Sequence, residues 1–124
     1  IGSTNQKIEA ICGVSPVLMR PPGGYIDTRS LSVVGNMGMS AIMWSIDTRD
    51  WQHRNAQRTI DTVLSQVKDG DIILMHDIYS TTADAAVVLI PELTARGYQL
   101  VTVSELAAYR GGIAPGHKYS QFRP

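Results

Sequence analysis

Three short apolar stretches of the sequence are each followed by side chains that can take part in catalysis. They are Arg20 after the stretch at 16–19, Asp50 and Trp51 after the stretch at 40–46, and His76 after the stretch at 72–75. A histidine with its ordinary pKa of about 6.5 can donate a proton near neutral pH. A carboxylate in hydrogen-bond contact fixes the tautomer of such a histidine and stabilises its charged form. The spacing therefore predicts His76 as a general acid and Asp50 as its partner, with a purely structural histidine as the alternative.

The other residues at these positions suit a sugar substrate, although each also has a structural explanation. Trp51 can stack on the apolar face of a sugar ring, or it can pack in the core. Arg20, held stiffly by the prolines that follow it, can orient a carboxylate or remain a surface charge. The backbone N–H groups of Gly23 and Gly24 can approach an oxyanion, or the two glycines can simply make a turn.

The elements that must position these residues alternate between strand and helix. Continuous apolar runs predict strands at 16–19, 40–46, 72–75 and 98–103, and helical patterns lie at 27–36, 56–68, 82–96 and from 104 onward. Pro91 is expected to interrupt or kink the third helix. Such strands with helices between them indicate an α/β fold, a parallel sheet covered by helices, in which functional residues gather at the carboxyl ends of the strands. The pattern leaves open a small doubly wound sheet or about half of a (β/α) barrel.

The composition fits one globular domain or part of one. The 124 residues carry eleven basic and eleven acidic side chains, so the formal net charge is zero. This charge provides no long-range attraction to nucleic acid or an anionic membrane, and it is compatible with a neutral glycan as partner. No apolar run approaches the roughly 20 residues that span a bilayer. The single Cys12 excludes a disulfide within the chain and shows no sign of an activated thiol. His76 and Asp77 follow a strand rather than lying among helices, which argues against a metal-binding HD phosphohydrolase.

Four segments together resemble the polysaccharide deacetylases, carbohydrate esterase family 4 with its NodB-homology domain. RPPGG at 20–24, DTRDW at 47–51 and ILMHD at 73–77 resemble the last three of the family's five motifs, and IPELTARGYQLVTVSEL at 90–106 resembles its closing elements. The resemblance covers roughly residues 13–106. It implies the C-terminal half of a distorted (β/α) barrel over residues 1–110, with parallel strands and covering helices, followed by an extended tail at 111–124.

The resemblance also implies an enzyme that removes N-acetyl or O-acetyl groups from a polysaccharide with one divalent metal, usually zinc. The implied roles are general acid for His76, a partner holding the imidazole for Asp50, orientation of the catalytic base for Arg20, an oxyanion-binding N–H for Gly23, and contacts with the acetyl group and the groove for Leu74 and Trp51. An aromatic residue commonly stands where this chain has Gly23, so one wall of the substrate groove is expected to be missing.

The family's first two motifs, which would supply the catalytic base and the metal ligands, are absent from this sequence. No residue of this chain is therefore assigned to the metal. The resemblance implies that the ligands lie in an N-terminal half, present as a separate chain or a cleaved segment. We expect the chain alone to be inactive and not stably folded, because half a barrel leaves apolar strand edges exposed.

The predicted function is that of part of a bacterial, extracellular or cell-wall-associated enzyme that removes N-acetyl groups from the N-acetylglucosamine of peptidoglycan or a related glycan. A proton donor such as His76 slightly favours the amide, because an amine leaving group needs a proton more than an alcohol does. An acetylxylan esterase or another O-acetyl esterase of the family is one alternative. A non-catalytic carbohydrate-binding or assembly subunit is the other, because the metal half of the site is missing.

Overall fold

The computed structural model describes all 124 residues of the chain. They form two compact units, one made of Ile1–Met43 and Gly112–Tyr119 and the other of Trp44–Gly111 and Ser120–Pro124. The helices are α1 (Gly2–Cys12), α2 (Thr28–Asn36), α3 (Asp50–His53), α4 (Ala56–Gln66), α5 (Ser80–Ala95) and α6 (Val103–Ala108). The strands are β1 (Leu18–Met19), β2 (Ser40–Ile42), β3 (Ile46–Asp47), β4 (Ile73–Leu74) and β5 (Lys118–Tyr119). All pairings between these strands are parallel, which confirms the predicted α/β class. None of the helices combines the length and apolar character needed to cross a membrane.

The first unit is built on a three-stranded parallel sheet with the order β1-β2-β5. Leu18 of β1 lies opposite Ser40 of β2. Helix α2 begins after Asp27, whose side chain accepts a 2.7 Å hydrogen bond from the Ser30 N–H, and it buries Val34. An aspartate at this position supplies one of the acceptors that the free N–H groups of a helix start require. The sheet places the RPPGG segment directly after β1.

Part of the segment at 111–124 belongs to this sheet. Lys118–Tyr119 forms β5 beside β2. The N–H of Ala41 donates to the His117 carbonyl at 2.9 Å, and the N–H of Met43 donates to the Tyr119 carbonyl at 2.7 Å. These bonds join residues far apart in the sequence, so no local pattern reveals them.

Helix α1 has no counterpart among the predicted elements. It ends at Gly13, which has a left-handed φ of 71° and donates its N–H to the Glu9 carbonyl at 2.8 Å. Glycine is the residue best able to adopt this conformation. No side chain of α1 is buried, and Ile11 is 83% exposed. The apolar side chains of this helix therefore have no cover within the chain.

The second unit joins a two-stranded parallel sheet to a pair of packed helices. In the sheet, Ile46 of β3 lies opposite Ile73 of β4. The core between α4 and α5 consists of buried apolar side chains, namely Ile60, Val63, Ala85, Leu89 and Leu93. Fully burying one large apolar side chain of this kind stabilises a fold by about 1.5–3 kcal/mol. This core anchors α5, which begins shortly after His76.

Helices α4 and α5 confirm two of the predicted helices. Before α4, the Asn55 side chain accepts a 3.0 Å hydrogen bond from the Arg58 N–H, as expected of an N-cap. Helix α5 continues through Pro91, so the predicted interruption does not occur. Pro91 is exposed, and water can reach the carbonyl that its missing N–H leaves without a donor.

The prediction of one strand at 40–46 is wrong. Strand β2 ends at Ile42 and β3 begins at Ile46, and the two strands belong to different sheets. The N–H of Ser45 already donates to the Ile72 carbonyl at 2.9 Å. The apolar run is continuous in the sequence, but its backbone groups change partners in the middle.

The prediction of a strand at 98–103 is also wrong. The N–H of Tyr98 donates to the Leu93 carbonyl at 3.0 Å and thereby closes the end of α5. Thr102 caps α6, with its side chain accepting from the Glu105 N–H and the Glu105 carboxylate accepting from the Thr102 N–H. The polar groups at both ends of this segment thus serve helix caps rather than a sheet.

Residues 120–124 lie against the turn that ends α4. The N–H of Phe122 donates to the Gly70 carbonyl at 2.8 Å, and the guanidinium of Arg123 bonds the Asp71 carboxylate at 2.6 Å. Gly70 has a φ of 86°, and a Cβ added there would collide with the Phe122 carbonyl. Only glycine fits at this position without displacing backbone.

Candidate active site

Asp50 and His76 form a hydrogen-bonded pair in the second unit. Asp50 opens α3 just after β3, and His76 follows β4, so the ends of two paired parallel strands bring them together. His76 Nδ1 lies 2.7 Å from Asp50 Oδ1, and the backbone N–H of His76 donates to Oδ2 at 2.6 Å. Asp50 is 1% exposed, whereas the His76 side chain is 37% exposed. The pair thus combines a buried, oriented carboxylate with an imidazole that a ligand can reach.

Two further donors complete the surroundings of the carboxylate. The Thr82 hydroxyl donates to Oδ2 at 2.7 Å, and the Trp51 N–H donates to Oδ1 at 3.0 Å. Burial raises the pKa of Asp50, but the hydrogen bonds from the His76 ring, the Thr82 hydroxyl and the His76 N–H outweigh it and hold this pKa below its ordinary value. Asp50 is therefore ionised at neutral pH and can only accept hydrogen bonds. It follows that Nδ1 of His76 carries a proton, which leaves Nε2 to exchange a proton with a substrate.

The loop that carries Asp50 is held by bonds to neighbouring backbone. Arg49 has a left-handed φ of 51° immediately before α3, and its N–H donates to the Asp47 side chain at 2.9 Å. The buried Thr48 hydroxyl donates to the Leu74 carbonyl at 2.8 Å. These contacts hold the end of β3 beside β4. They also give the Asp47 side chain a turn-forming role.

One aromatic side chain, Tyr79, contacts the imidazole, and two predicted substrate-binding residues, Trp51 and Leu74, differ in exposure. Trp51 is 50% exposed, and Leu74 is buried within β4. The Tyr79 ring meets the His76 ring edge-on with centroids 6.3 Å apart. The Arg54 guanidinium lies 4.9 Å above the centre of the Tyr79 ring, within cation–π range. Tyr79 thus contacts the His76 ring on one side and the Arg54 guanidinium on the other.

Arg20 and Gly23 belong to the first unit. The Arg20 guanidinium donates to the carbonyls of Ile42 and Met43 at 3.1 and 3.3 Å, which fixes it at the end of β2. Gly23 is exposed in the turn after β1 and has a φ of 62°. A side chain at this position would be strained, which favours glycine here. The roles predicted for both residues stay predictions.

Sequence reasoning missed Thr82 and Tyr79. Thr82 lies in helical phase with the buried Ala85, Leu89 and Leu93 on α5. A polar residue on such an apolar stripe requires a buried hydrogen-bond partner, and this signal could have identified Thr82. Tyr79 carries no comparable signal, because its position depends on how the chain turns after β4.

A metal ion does not fit the residues of this chain. No group of three or more His, Cys, Asp or Glu side chains in the structure is placed to hold one. At the candidate site, both oxygens of Asp50 are already engaged by donors, and the Nδ1 of His76 faces that carboxylate. The polar atoms of the Asp50 carboxylate are thus occupied by protein donors.

Comparison with known proteins finds peptidoglycan deacetylases among the relatives of this chain. No protein-family model matches the chain. The chain is 47% identical over 106 residues to the peptidoglycan-N-acetylmuramic acid deacetylase PdaC of Bacillus subtilis, a match that covers 86% of the chain and 22% of PdaC. It is 42% identical over 94 residues to the peptidoglycan-N-acetylglucosamine deacetylase PgdA of Listeria monocytogenes, covering 76% of the chain and 20% of PgdA. The chain thus spans about a fifth of the length of these relatives.

Solved structures have the same fold. The structure of PdaC matches 85% of the chain with 50% of its own length and a TM-score of 0.78. A family 4 acetyl xylan esterase from Clostridium thermocellum, in complex with a cobalt ion, matches all of the chain with 62% of its length, 28% identity and a TM-score of 0.87. A pseudoenzyme of the same family from Bacillus anthracis matches 95% of the chain with 42% of its length, 27% identity and a TM-score of 0.81. These likenesses confirm the fold that the motifs predict, as part of a larger domain.

Proposed function

We propose that this chain, which belongs to the polysaccharide deacetylases of carbohydrate esterase family 4, is part of an enzyme that removes N-acetyl groups from the amino sugars of peptidoglycan. The names of its relatives PdaC and PgdA support the substrate class. The observation that carries the proposal is the contact between the buried Asp50 carboxylate and the half-exposed His76 ring. A leaving amine must gain a proton, and this pair is built to supply one.

In this reaction His76 donates a proton to the amine that leaves the acetyl group. A water molecule, deprotonated by a catalytic base outside these 124 residues, adds to the acetyl carbon. When the C–N bond then breaks, the acetyl group leaves as acetate, the electron pair stays on nitrogen, and the proton on Nε2 of the imidazolium moves to that nitrogen. Asp50 accepts the Nδ1 proton in a hydrogen bond throughout and stabilises the charged ring before the transfer. Because four donors already hold the carboxylate, no rearrangement is needed at the moment of reaction.

Four further residues are proposed to contact the substrate or the catalytic base. Trp51 is half-exposed and suits stacking on a sugar ring, while Leu74 contributes an apolar surface for the acetyl methyl. The N–H of Gly23 is proposed to bind the oxyanion. Arg20, tied to two carbonyls, is proposed to orient the catalytic base.

We further propose that the enzyme depends on a divalent metal held by residues outside these 124, with zinc as our first choice of metal. The cobalt ion of the related acetyl xylan esterase supports metal dependence in the family. This chain offers no cluster of ligands, so no step is assigned to a metal here. The partial coverage of every relative supports an N-terminal half, as a separate chain or a cleaved segment, as the source of the ligands.

The proposed peptidoglycan substrate also implies where the enzyme acts. A peptidoglycan substrate requires an enzyme that acts outside the cell or in the cell wall. An amide is proposed over an ester because PdaC and PgdA, at 47% and 42% identity, are named as deacetylases of N-acetyl amino sugars. N-acetylglucosamine is our first choice of sugar, although PdaC is named for N-acetylmuramic acid. Acetate release from an acetylated chitooligomer, a muramic-acid-containing glycan and acetylxylan compares the three substrates directly.

The test of the proposed acid is substitution in the full-length protein that carries this sequence. His76→Ala should lower the rate of acetate release from peptidoglycan by about 10²–10⁴-fold, the range typical of general acids. His117→Ala is the matched control, because His117 is exposed in the first unit and should leave the rate unchanged. Metal content, measured on both variants, should equal that of the parent protein. Loss of the metal from His76→Ala would show that His76 is a ligand and not the acid.

The second candidate is a non-catalytic carbohydrate-binding or assembly subunit. The absence of a metal-binding cluster from the chain favours it, and the Bacillus anthracis pseudoenzyme shows that this fold also occurs without its usual activity. Purified full-length protein decides between the candidates. One equivalent of bound metal together with acetate release supports the enzyme, whereas glycan binding with neither supports the subunit.

A further inference from the structure

Thr82 is a buried polar residue on the apolar face of α5. It lies in the first turn of that helix, in phase with Ala85, Leu89 and Leu93, and is itself buried. Its hydroxyl donates to Oδ2 of Asp50 at 2.7 Å. Bonds from neutral donors to ionised acceptors are about twice as strong as bonds between neutral groups. The contact therefore ties the start of α5 to the carboxylate that faces His76.

The contact fills the last acceptor position of Asp50. A carboxylate offers about four acceptor sites. Here Oδ2 takes the Thr82 hydroxyl and the backbone N–H of His76, and Oδ1 takes the His76 ring and the Trp51 N–H. The carboxylate plane is thus fixed by donors on both oxygens. Without the Thr82 hydroxyl, Oδ2 keeps a single backbone donor, and the plane gains freedom to rotate away from Nδ1.

Other buried threonines of the second unit bond differently. The Thr48 hydroxyl donates to the Leu74 carbonyl at 2.8 Å, and the Thr59 hydroxyl donates to the Asn55 carbonyl at 3.3 Å. Both satisfy backbone acceptors, which is the common use of a buried hydroxyl. Thr82 instead donates to a charged side chain in direct contact with the proposed acid. Structural need alone does not require that choice of acceptor.

We propose that Thr82 is a positioning residue for proton transfer by His76. It orients the Asp50 carboxylate so that Oδ1 receives the Nδ1 proton, and it thereby keeps Nε2 aimed at the leaving amine. This inference rests on the proposed deacetylase function, because it assigns Thr82 a part in the same proton transfer. Replacing a residue that hydrogen-bonds the immediate neighbour of a reacting group typically lowers activity by about 10–100-fold.

The experiment compares three variants in the full-length protein. Thr82→Val keeps the shape and removes the hydroxyl, Thr82→Ser keeps the hydroxyl, and Thr59→Val removes a hydroxyl that does not contact Asp50. We expect Thr82→Val to lower kcat for acetate release about tenfold with KM unchanged, and Thr82→Ser and Thr59→Val to keep the parent kcat. Thr82→Ala replaces Thr82→Val if the valine variant does not fold.

A second readout is independent of activity. The proton shared between Nδ1 of His76 and Oδ1 of Asp50 gives a low-field proton resonance in NMR spectra, which His76→Ala identifies by its disappearance. Thr82→Val should shift or broaden this resonance, and Thr82→Ser should preserve it. An unchanged resonance together with an unchanged kcat overturns the proposal. If the parent protein releases no acetate from any glycan, the deacetylase function fails, and the resonance alone then decides whether Thr82 positions the pair.

Discussion

Helices α1 and α5 use their apolar side chains in opposite ways. Helix α5 has one face packed in the core of the second unit through Ala85, Leu89 and Leu93, and its first turn bonds Asp50. Helix α1 buries none of its side chains, and Ile11 stands almost fully exposed. Both helices are well formed, so helix formation itself does not distinguish them. What distinguishes them is the presence of a partner surface within the chain.

This difference separates a helix that packs one apolar face within the chain from a helix that buries none of its side chains there. Most stabilisation of a helix in a folded protein comes from packing an apolar face rather than from helix propensity. Helix α5 has such packing, and it supports the candidate site. Helix α1 shows apolar surface that another protein segment would have to cover. The proposed acid, His76, therefore lies just before the better supported of the two helices, and that helix bonds its partner Asp50 through Thr82.

The largest expected effect concerns the 124 residues expressed alone. Because α1 and other apolar surfaces lack cover, we expect a broad thermal transition without cooperativity, self-association, and no release of acetate from peptidoglycan. Circular dichroism melting and light scattering measure the first two. A single cooperative transition of a monomer would show that the comparison between α1 and α5 has no consequence for stability.

A matched pair of truncations sharpens the comparison in the full-length protein. Leu89→Ala removes a buried side chain of α5 and should cost about 2–5 kcal/mol of unfolding free energy. Ile11→Ala removes a side chain that is exposed in these 124 residues but that we expect another segment of the full-length protein to cover, so it should also cost more than the roughly 0.5 kcal/mol of a surface substitution. Urea unfolding of both variants provides the measurement. A cost for Ile11→Ala of no more than about 0.5 kcal/mol would show that α1 stays uncovered in the full-length protein.

The smallest expected effect is a pH dependence that enters through the carboxylate bonded to α5. Hydrogen bonds hold the folded-state pKa of Asp50 below the ordinary 3.8, so its contribution to stability is complete above that value and is lost as the pH falls through the folded-state pKa. Asp50→Asn should therefore flatten the acid limb of a plot of unfolding free energy against pH. Glu9→Gln, on the exposed face of α1, is the control and should leave that limb unchanged. An equally steep acid limb in Asp50→Asn would show that other groups cause it.

The sequence predicts elements whose signals are local. Asn55 marks the start of α4, and the apolar spacing of Ile60, Val63 and Leu64 identifies the helix itself. Helix α1 could not be predicted in this way, because it buries no side chain. The pairing of β5 with β2, and the division of the stretch at 40–46 between two sheets, depend on partners far along the chain. Neither leaves a pattern that can be read in a short window.

The candidate site could likewise be predicted only where its residues leave a local signal in the sequence. His76 and Asp50 could be named because each follows an apolar run, and parallel strands present such positions at one edge. The contact between them is observed, and their chemical roles stay proposals. Thr82 was missed because hydroxyl residues at the start of a helix are common, and only its phase with Ala85 and Leu89 distinguishes it. The metal could not be located from this sequence at all.

The collision that keeps side chains out of position 70 has a consequence for how this chain tolerates variation. In a library randomised over 68–71, position 68 should accept many residues, since Lys68 contributes a backbone N–H to the turn. Position 71 should retain aspartate, whose carboxylate accepts from the Lys68 N–H, the Ser45 hydroxyl and the Arg123 guanidinium. Position 70 should return glycine alone, because the carbonyl of Phe122 occupies the space of any Cβ. One residue near the carboxyl end of the chain thus restricts which sequences can fold at a turn some fifty positions earlier.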